Sequence, residues 1–223
     1  MRARKAKREI REPAHIRYAF YVLTLALAAI AIGSIILYGA GFISEARAEI
    51  ASTVSMSLFF PFIVFTYFLA KGRNISSIVE ELKISRKRLT YKALGAGLVL
   101  LIAVLLLEAG LAGLEQVAHV YLPTNVAQVL GGFPIWVLAF TVIIAPVNEE
   151  IFFRAFLVPR VGIVPSAILF ALFHLGYGSI AEFVGALIYG LMAGYALKKT
   201  DSLYPSIIGH LLVNALAVVA LVA

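Results

Sequence analysis

The stretch PIWVLAFTVIIAPVNEEIFFRAFLV, residues 134–158, decides the fold. A bilayer-spanning helix takes roughly 17 to 25 mostly apolar residues, and this run meets that length. It nevertheless holds Glu149, Glu150 and Arg154. An ionisable group at the centre of a spanning helix costs about 2.5 to 3.5 kcal/mol on insertion scales, so such groups face a protein interior or a water-filled cavity. The stretch therefore reads as a membrane helix packed inside a bundle.

Comparable apolar runs cover 18–42, 51–70, 93–113, 179–197 and 203–222. A shorter one, Val161 to Leu175, covers only about 22 Å at the helical rise and should stop inside the membrane. Gly176, Tyr177 and Gly178 would then form a non-helical turn at depth, which is tolerated only where protein or a wet cavity satisfies its backbone. Composition agrees: 62% of residues are hydrophobic, 14% are charged and the mean hydropathy is +0.97, against about 25% charged in a soluble domain. The expectation is an all-α, polytopic membrane helix bundle of about seven spans, one membrane domain over 1–223. With no cysteine, a disulfide scaffold, a thiolate metal site and a thiol nucleophile are excluded. No cleavage site follows the first apolar run, which should remain as an anchor.

The net charge of +7 does not point to nucleic acid, because of where it lies. Seven Lys/Arg fall in the basic segment 1–17 and seven in the loop 71–92; Arg160 and then Lys198 and Lys199 follow. These are alternate loops of the seven-span reading, and the opposite set holds only Arg47. The positive-inside rule then places the N-terminus in the cytoplasm and the C-terminus outside, in a multi-pass protein of the cell membrane. Within the loop, Ile75, Ile78, Val79 and Leu82 recur at helical spacing, as an amphipathic helix on the cytoplasmic face in contact with membrane lipids would require. Residues 114–133, with His119, Pro123 and Gly131-Gly132, read as an outside loop with one or two short helical turns. Trp136 and Tyr18 suit the membrane interface.

Six costly polar groups fall on three apolar helices: Glu149, Glu150, Arg154, His174, His210 and Asn214. Counting about 1.5 Å per residue from Arg160 and Lys199 puts Glu149 and His210 both roughly 16 Å from the basic edge, with His174 and Asn214 roughly 21 to 22 Å deep. They share a layer. At 100° per residue Glu150 and Arg154 lie on one stripe, whereas Glu149 is turned about 100° away and faces another neighbour. His210 and Asn214, also four apart, can aim at one point.

These residue types permit several chemistries. Glu149 can take a proton from water, His174 can position that water or carry the proton, and His210 with Asn214 can hold an oxyanion, which together describes hydrolysis of a carbonyl compound. Glu149, Glu150, His174 and His210 are equally suited to hold zinc, although no H-E-x-x-H pattern is present. A proton relay for transport uses the same residues, but no inverted halves are visible. A polar knot that only locks the bundle is the structural alternative. Ser166, Ser179, Ser202 and Ser206 sit in no triad-like motif and read as packing residues, and Gly190 and Gly194 as a face for close helix contact.

Taken together, Glu149-Glu150-Ile-Phe-Phe-Arg154, Phe170-Ala-Leu-Phe-His174 and His210-Leu-Leu-Val-Asn214, in that order on separate membrane helices, resemble the CPBP (Abi) family. That family includes the CAAX prenyl endopeptidases and bacteriocin-processing or immunity proteins. The resemblance covers about residues 134–215, including Gly190 to Tyr195 and Ser202 to Ser206. It implies an intramembrane glutamic endopeptidase that hydrolyses peptide bonds with a Glu/His-activated water, holding no metal or other cofactor and open to the cytoplasm. Residue by residue it makes Glu149 the base with His174 beside it, and His210 and Asn214 the oxyanion pair. Glu150 and Arg154 become supporting residues, while Phe170 reads as packing that orients His174. The implied partner is a peptide or protein substrate, a prenylated C-terminus being one option. Members commonly have eight spans, which opens the count here. A non-proteolytic membrane interaction or immunity protein is the alternative function.

Overall fold

The structure, a computed structural model, describes residues 12–119, 126–177 and 179–222. Among these residues there is no strand, and six helices are long and apolar enough to cross a membrane. A seventh apolar helix is shorter.

Helices α1 (Ala14–Gly39) and α2 (Glu45–Ala70) pack along each other. Thr24 and Thr66 join them through their hydroxyls at 2.8 Å, a bond that satisfies polar groups lipid cannot. Helix α1 starts before the apolar run, at Ala14. Val22, Leu25 and Ile35 stay exposed, as a lipid-facing surface requires.

Asn74 caps α3 (Ile75–Glu81), its side-chain oxygen accepting the Ser77 N–H at 2.8 Å. On the apolar side of this segment Ile75 is exposed. Ile78 and Leu82 are wholly buried in a core with Val64, Leu69, Val158 and Leu203. Helix α4 (Tyr91–Ala118) runs past the apolar stretch that ends at Gly113, since good helix formers such as Gln116 carry it on. It ends at His119, with φ of +51°. Of the expected loop turns, α5 (Val126–Gly131) is present, while Pro123 lies outside the described residues.

Helix α6 (Ile135–Val161) carries the decisive stretch. Over Glu150–Leu157 its hydrogen bonding widens to a π-helix, which the sequence reading, built on the α-helical angle, did not anticipate. Gly162, at φ +93°, turns the chain back in one residue, a conformation that favours glycine. Helix α7 (Ile163–His174) follows and ends inside the membrane thickness, at about 18 Å of helix. A 3₁₀ turn at Leu175–Tyr177 stands where the turn at depth was expected; Gly178 lies outside the described residues. Helix α8 (Ile180–Thr200) is capped by Ser179, and α9 (Tyr204–Val222) closes the bundle.

Small residues let the last helices approach. A Cβ on Gly190 would lie 2.9 Å from Ala167 and one on Gly194 2.9 Å from Ile163, so α8 meets α7 at contact distance. Gly97 against Ile208 and Gly209 against Leu100 do the same for α4 and α9.

The basic loops gather at one end. Leu203 N–H donates to Lys83 O at 3.1 Å, Tyr204 O–H to Ile84 O at 2.9 Å and Ser202 O–H to Arg88 O at 3.0 Å. Asp201 pairs with Lys83 at 2.9 Å and with Arg88, and Arg160 with Glu81 at 3.5 Å. At the same end, Glu12 accepts the Ile75 N–H at 3.1 Å. The first eleven residues of the basic segment 1–17 lie outside the described residues.

Candidate active site

The two glutamates of α6 have different surroundings. The Glu150 and Arg154 side chains are both 0% exposed, with Arg154 Nε 3.1 Å from Glu150 Oε2. They pair as the spacing predicted. The contact lacks hydrogen-bond geometry, and among the described residues the guanidinium nitrogens have no hydrogen-bond partner. Their company is aromatic: the guanidinium carbon lies 4.0 Å from the Phe170 ring centroid and 5.4 Å from that of Tyr189. Ring faces attract a desolvated cation, by about 2 kcal/mol or more, which helps offset the missing hydrogen bonds. The wider π-helical turn frees backbone carbonyls, and that of Phe153 accepts the Ser166 hydroxyl of α7. Ser166 is therefore a tie between α6 and α7, a role hidden while it read only as a packing residue.

Glu149 points elsewhere and keeps 21% of its side chain exposed. His210 of α9 stands between the pair. Its Nδ1 lies 3.0 Å from Glu150 Oε1 and its Nε2 3.8 Å from Glu149 Oε2. A carboxylate only accepts, so Nδ1–H donates to Glu150. The longer gap on the other side is beyond hydrogen-bond reach. Glu149 and Nε2 thus face each other without a hydrogen bond between them.

His174 ends α7 with its Nδ1–H donating to Phe170 O at 2.9 Å. The Phe170 ring touches this whole group: its centroid is 4.4 Å from the His174 ring, 5.8 Å from the His210 ring and 5.1 Å from Phe153. Asn214 Nδ2 donates to Thr141 O at 2.9 Å, leaving its second N–H uncommitted by that bond. Asn148 donates to Ser57 Oγ at 3.3 Å and so ties α6 to α2 beside Glu149.

His174, His210 and Asn214 border one cavity of 280 Å³ between α4, α7, α8 and α9. Tyr189 borders it too. Its ring lies 5.1 Å from the His210 ring, and its hydroxyl donates to Ser206 O at 2.6 Å, one turn before His210. Tyr189 was missed in the sequence, although a tyrosine in mid-span needs a partner for its hydroxyl and was a signal in itself. Farther along, Glu108 and Glu182 line the same cavity. Among the described residues, no three His, Asp or Glu side chains converge as a metal-holding group.

Residues 131–216 match the family described as type II CAAX prenyl endopeptidase Rce1-like. That segment is similar to the CAAX-protease-like family. All seven motif residues, from Glu149 to Asn214, fall within the Rce1-like segment. The match over this segment points to a protease family, and the six apolar helices suggest an integral membrane protein. No curated protein and no solved structure matches the chain.

Proposed function

We propose that this Rce1-like chain is an intramembrane endopeptidase in which Glu149 activates the attacking water without a metal. The observation that carries this reading is the unequal exposure of two adjacent carboxylates flanking His210: Glu150 is 0% exposed and paired, whereas Glu149 keeps 21% of its side chain exposed.

In this mechanism Glu149 takes a proton from water as the water oxygen bonds to the peptide carbonyl carbon. The carbonyl oxygen gains the displaced electron pair. It accepts hydrogen bonds from the uncommitted N–H of Asn214 and from Nε2–H of His210. For Nε2 to donate while Nδ1 donates to Glu150, the ring must carry both protons, and two flanking carboxylates suit that cation. As the C–N bond breaks, Glu149 returns its proton to the leaving nitrogen. His174 holds the water in line. Glu150 and Arg154 fix His210, and Phe170 fixes His174. The charged loops put the basic end of the bundle, with the N-terminus, on the cytoplasmic side of the cell membrane.

The test incubates purified protein with prenylated and unprenylated C-terminal peptides and follows products by mass spectrometry, with and without prolonged chelation. Cleavage that survives chelation is the expected result. Loss of cleavage on chelation and recovery on adding zinc would turn Glu149, His174 and His210 into ligands.

A further inference from the structure

We propose that Tyr189 is a positioning residue of this site, which sets the plane of the His210 ring so that Nε2 faces Glu149. This rests on the reading of Glu149 and His210 as the working groups, and adds a residue that neither the three motifs nor the mechanism above uses.

One hydrogen bond does not orient an imidazole. The 3.0 Å contact of Nδ1 with Glu150 Oε1 fixes one corner of the His210 ring, and the ring can still swing about that corner. Such a swing displaces Nε2, which lies across the ring from it. The faces of the ring must therefore be held by packing. Two aromatic side chains meet them: Tyr189, with centroids 5.1 Å apart and the planes tilted by 55°, and Phe170, at 5.8 Å and 88°.

Tyr189 differs from Phe170 in being tied to the helix that carries the histidine. Its hydroxyl donates to Ser206 O at 2.6 Å, and Ser206 precedes His210 by one turn of α9. The tyrosine thus holds the backbone below His210 and the imidazole face together, so neither shifts without the other. Packing alone does not call for this hydroxyl. The other buried members of the same core are phenylalanines, alanines and Val104, and a hydroxyl buried among them without a partner would be destabilising.

Helix α8 keeps the tyrosine in place. Gly190, the next residue, packs so closely on α7 that a Cβ there would lie 2.9 Å from Ala167. Ala186 and Ala193, one turn to either side on the same face, are buried and small, which leaves that face to one large ring. The ring also lies 5.4 Å from the Arg154 guanidinium carbon. Both partners of Glu150, Arg154 and His210, therefore rest on Tyr189.

The test uses the full-length protein in detergent, isotopically labelled at the histidine ring nitrogens. The chain has four histidines, and the Nδ1–H proton of His210, bonded to Glu150, should give a downfield magnetic resonance that is assigned by its loss in His210→Gln. Tyr189→Leu removes both the ring and the tie, and should abolish that resonance. Tyr189→Phe keeps the ring and deletes the tie, and should leave the resonance broadened. In turnover, Tyr189→Leu should lower kcat by about 10², the effect of a small misplacement of a working group. Tyr189→Phe should lower it by about two- to tenfold, the worth of one hydrogen bond. KM should change far less than kcat in both. A side chain that only packs would lower the melting temperature and leave the resonance and the kcat of folded molecules as in the wild type. That result, or a wild type without the resonance, overturns the inference. Should Tyr189→Leu fail to fold, an unchanged resonance in Tyr189→Phe overturns it. The spectra are read without turnover, so an inactive wild type with the expected spectra would count against the proposed chemistry and leave the positioning role standing.

Discussion

Glu150→Gln is predicted to damage stability, because it uncouples a wholly buried ion pair. In the native protein both side chains are excluded from solvent and their charged atoms are 3.1 Å apart. Removing one partner strands Arg154, whose nitrogens have no hydrogen-bond partner among the described residues and whose other company is aromatic. Breaking such a pair costs about 3 to 5 kcal/mol. At 2 to 4 °C per kcal/mol for a chain of this size, the melting temperature should fall by on the order of 10 °C. Glutamine retains the shape and can still accept from His210, so the loss isolates the charge. Arg154→Met in the Glu150→Gln background should recover much of the stability, because a flexible apolar side chain fills the Phe170 and Tyr189 surface without a stranded cation. The assay is thermal unfolding of the wild type, both single variants and the double variant in one detergent. A Glu150→Gln protein that melts with the wild type, or a double variant worse than the sum of the singles, would refute the reasoning.

Gly190→Ala should destabilise by about 1 to 3 kcal/mol as its methyl meets Ala167, whereas Gly95→Ala, with nothing within 4 Å, should be neutral or gain up to about 1 kcal/mol of helix propensity; melting curves of the two variants would decide. Asp201 is held below the ordinary aspartate value first by the Arg88 hydrogen bond and then by Lys83. A lowered folded value means the clasp contributes fully above the unfolded aspartate range and is lost as pH falls through the lowered one. The wild type should therefore lose a small part of its melting temperature only in acid, and Asp201→Asn should lack that step; identical pH profiles would count against the clasp.

The spans were legible because hydrophobicity over eighteen or more residues is a property of the local sequence. The pairing of Glu150 with Arg154 was legible too, since four residues of helix bring them together. What the sequence could not show depends on contacts between distant helices. His210 meets both glutamates across sixty residues of chain, Asn214 finds a carbonyl at Thr141, and Tyr189 closes over both His210 and Arg154. The π-helical turn at Glu150–Leu157 leaves no mark in hydropathy. The burial of Ile78 and Leu82 depends on Leu203, so periodicity alone revealed an apolar face and not what covers it.

The central claim is that Glu149 is the base of a peptide hydrolysis, and one comparison tests it most directly. Turnover of a peptide found to be cleaved by the wild type is measured for Glu149→Gln under the same conditions, with melting and peptide binding recorded alongside. Loss of a general base predicts a fall of about 10² to 10⁴ in turnover with fold and binding retained. Wild-type turnover in a folded Glu149→Gln protein would contradict the account.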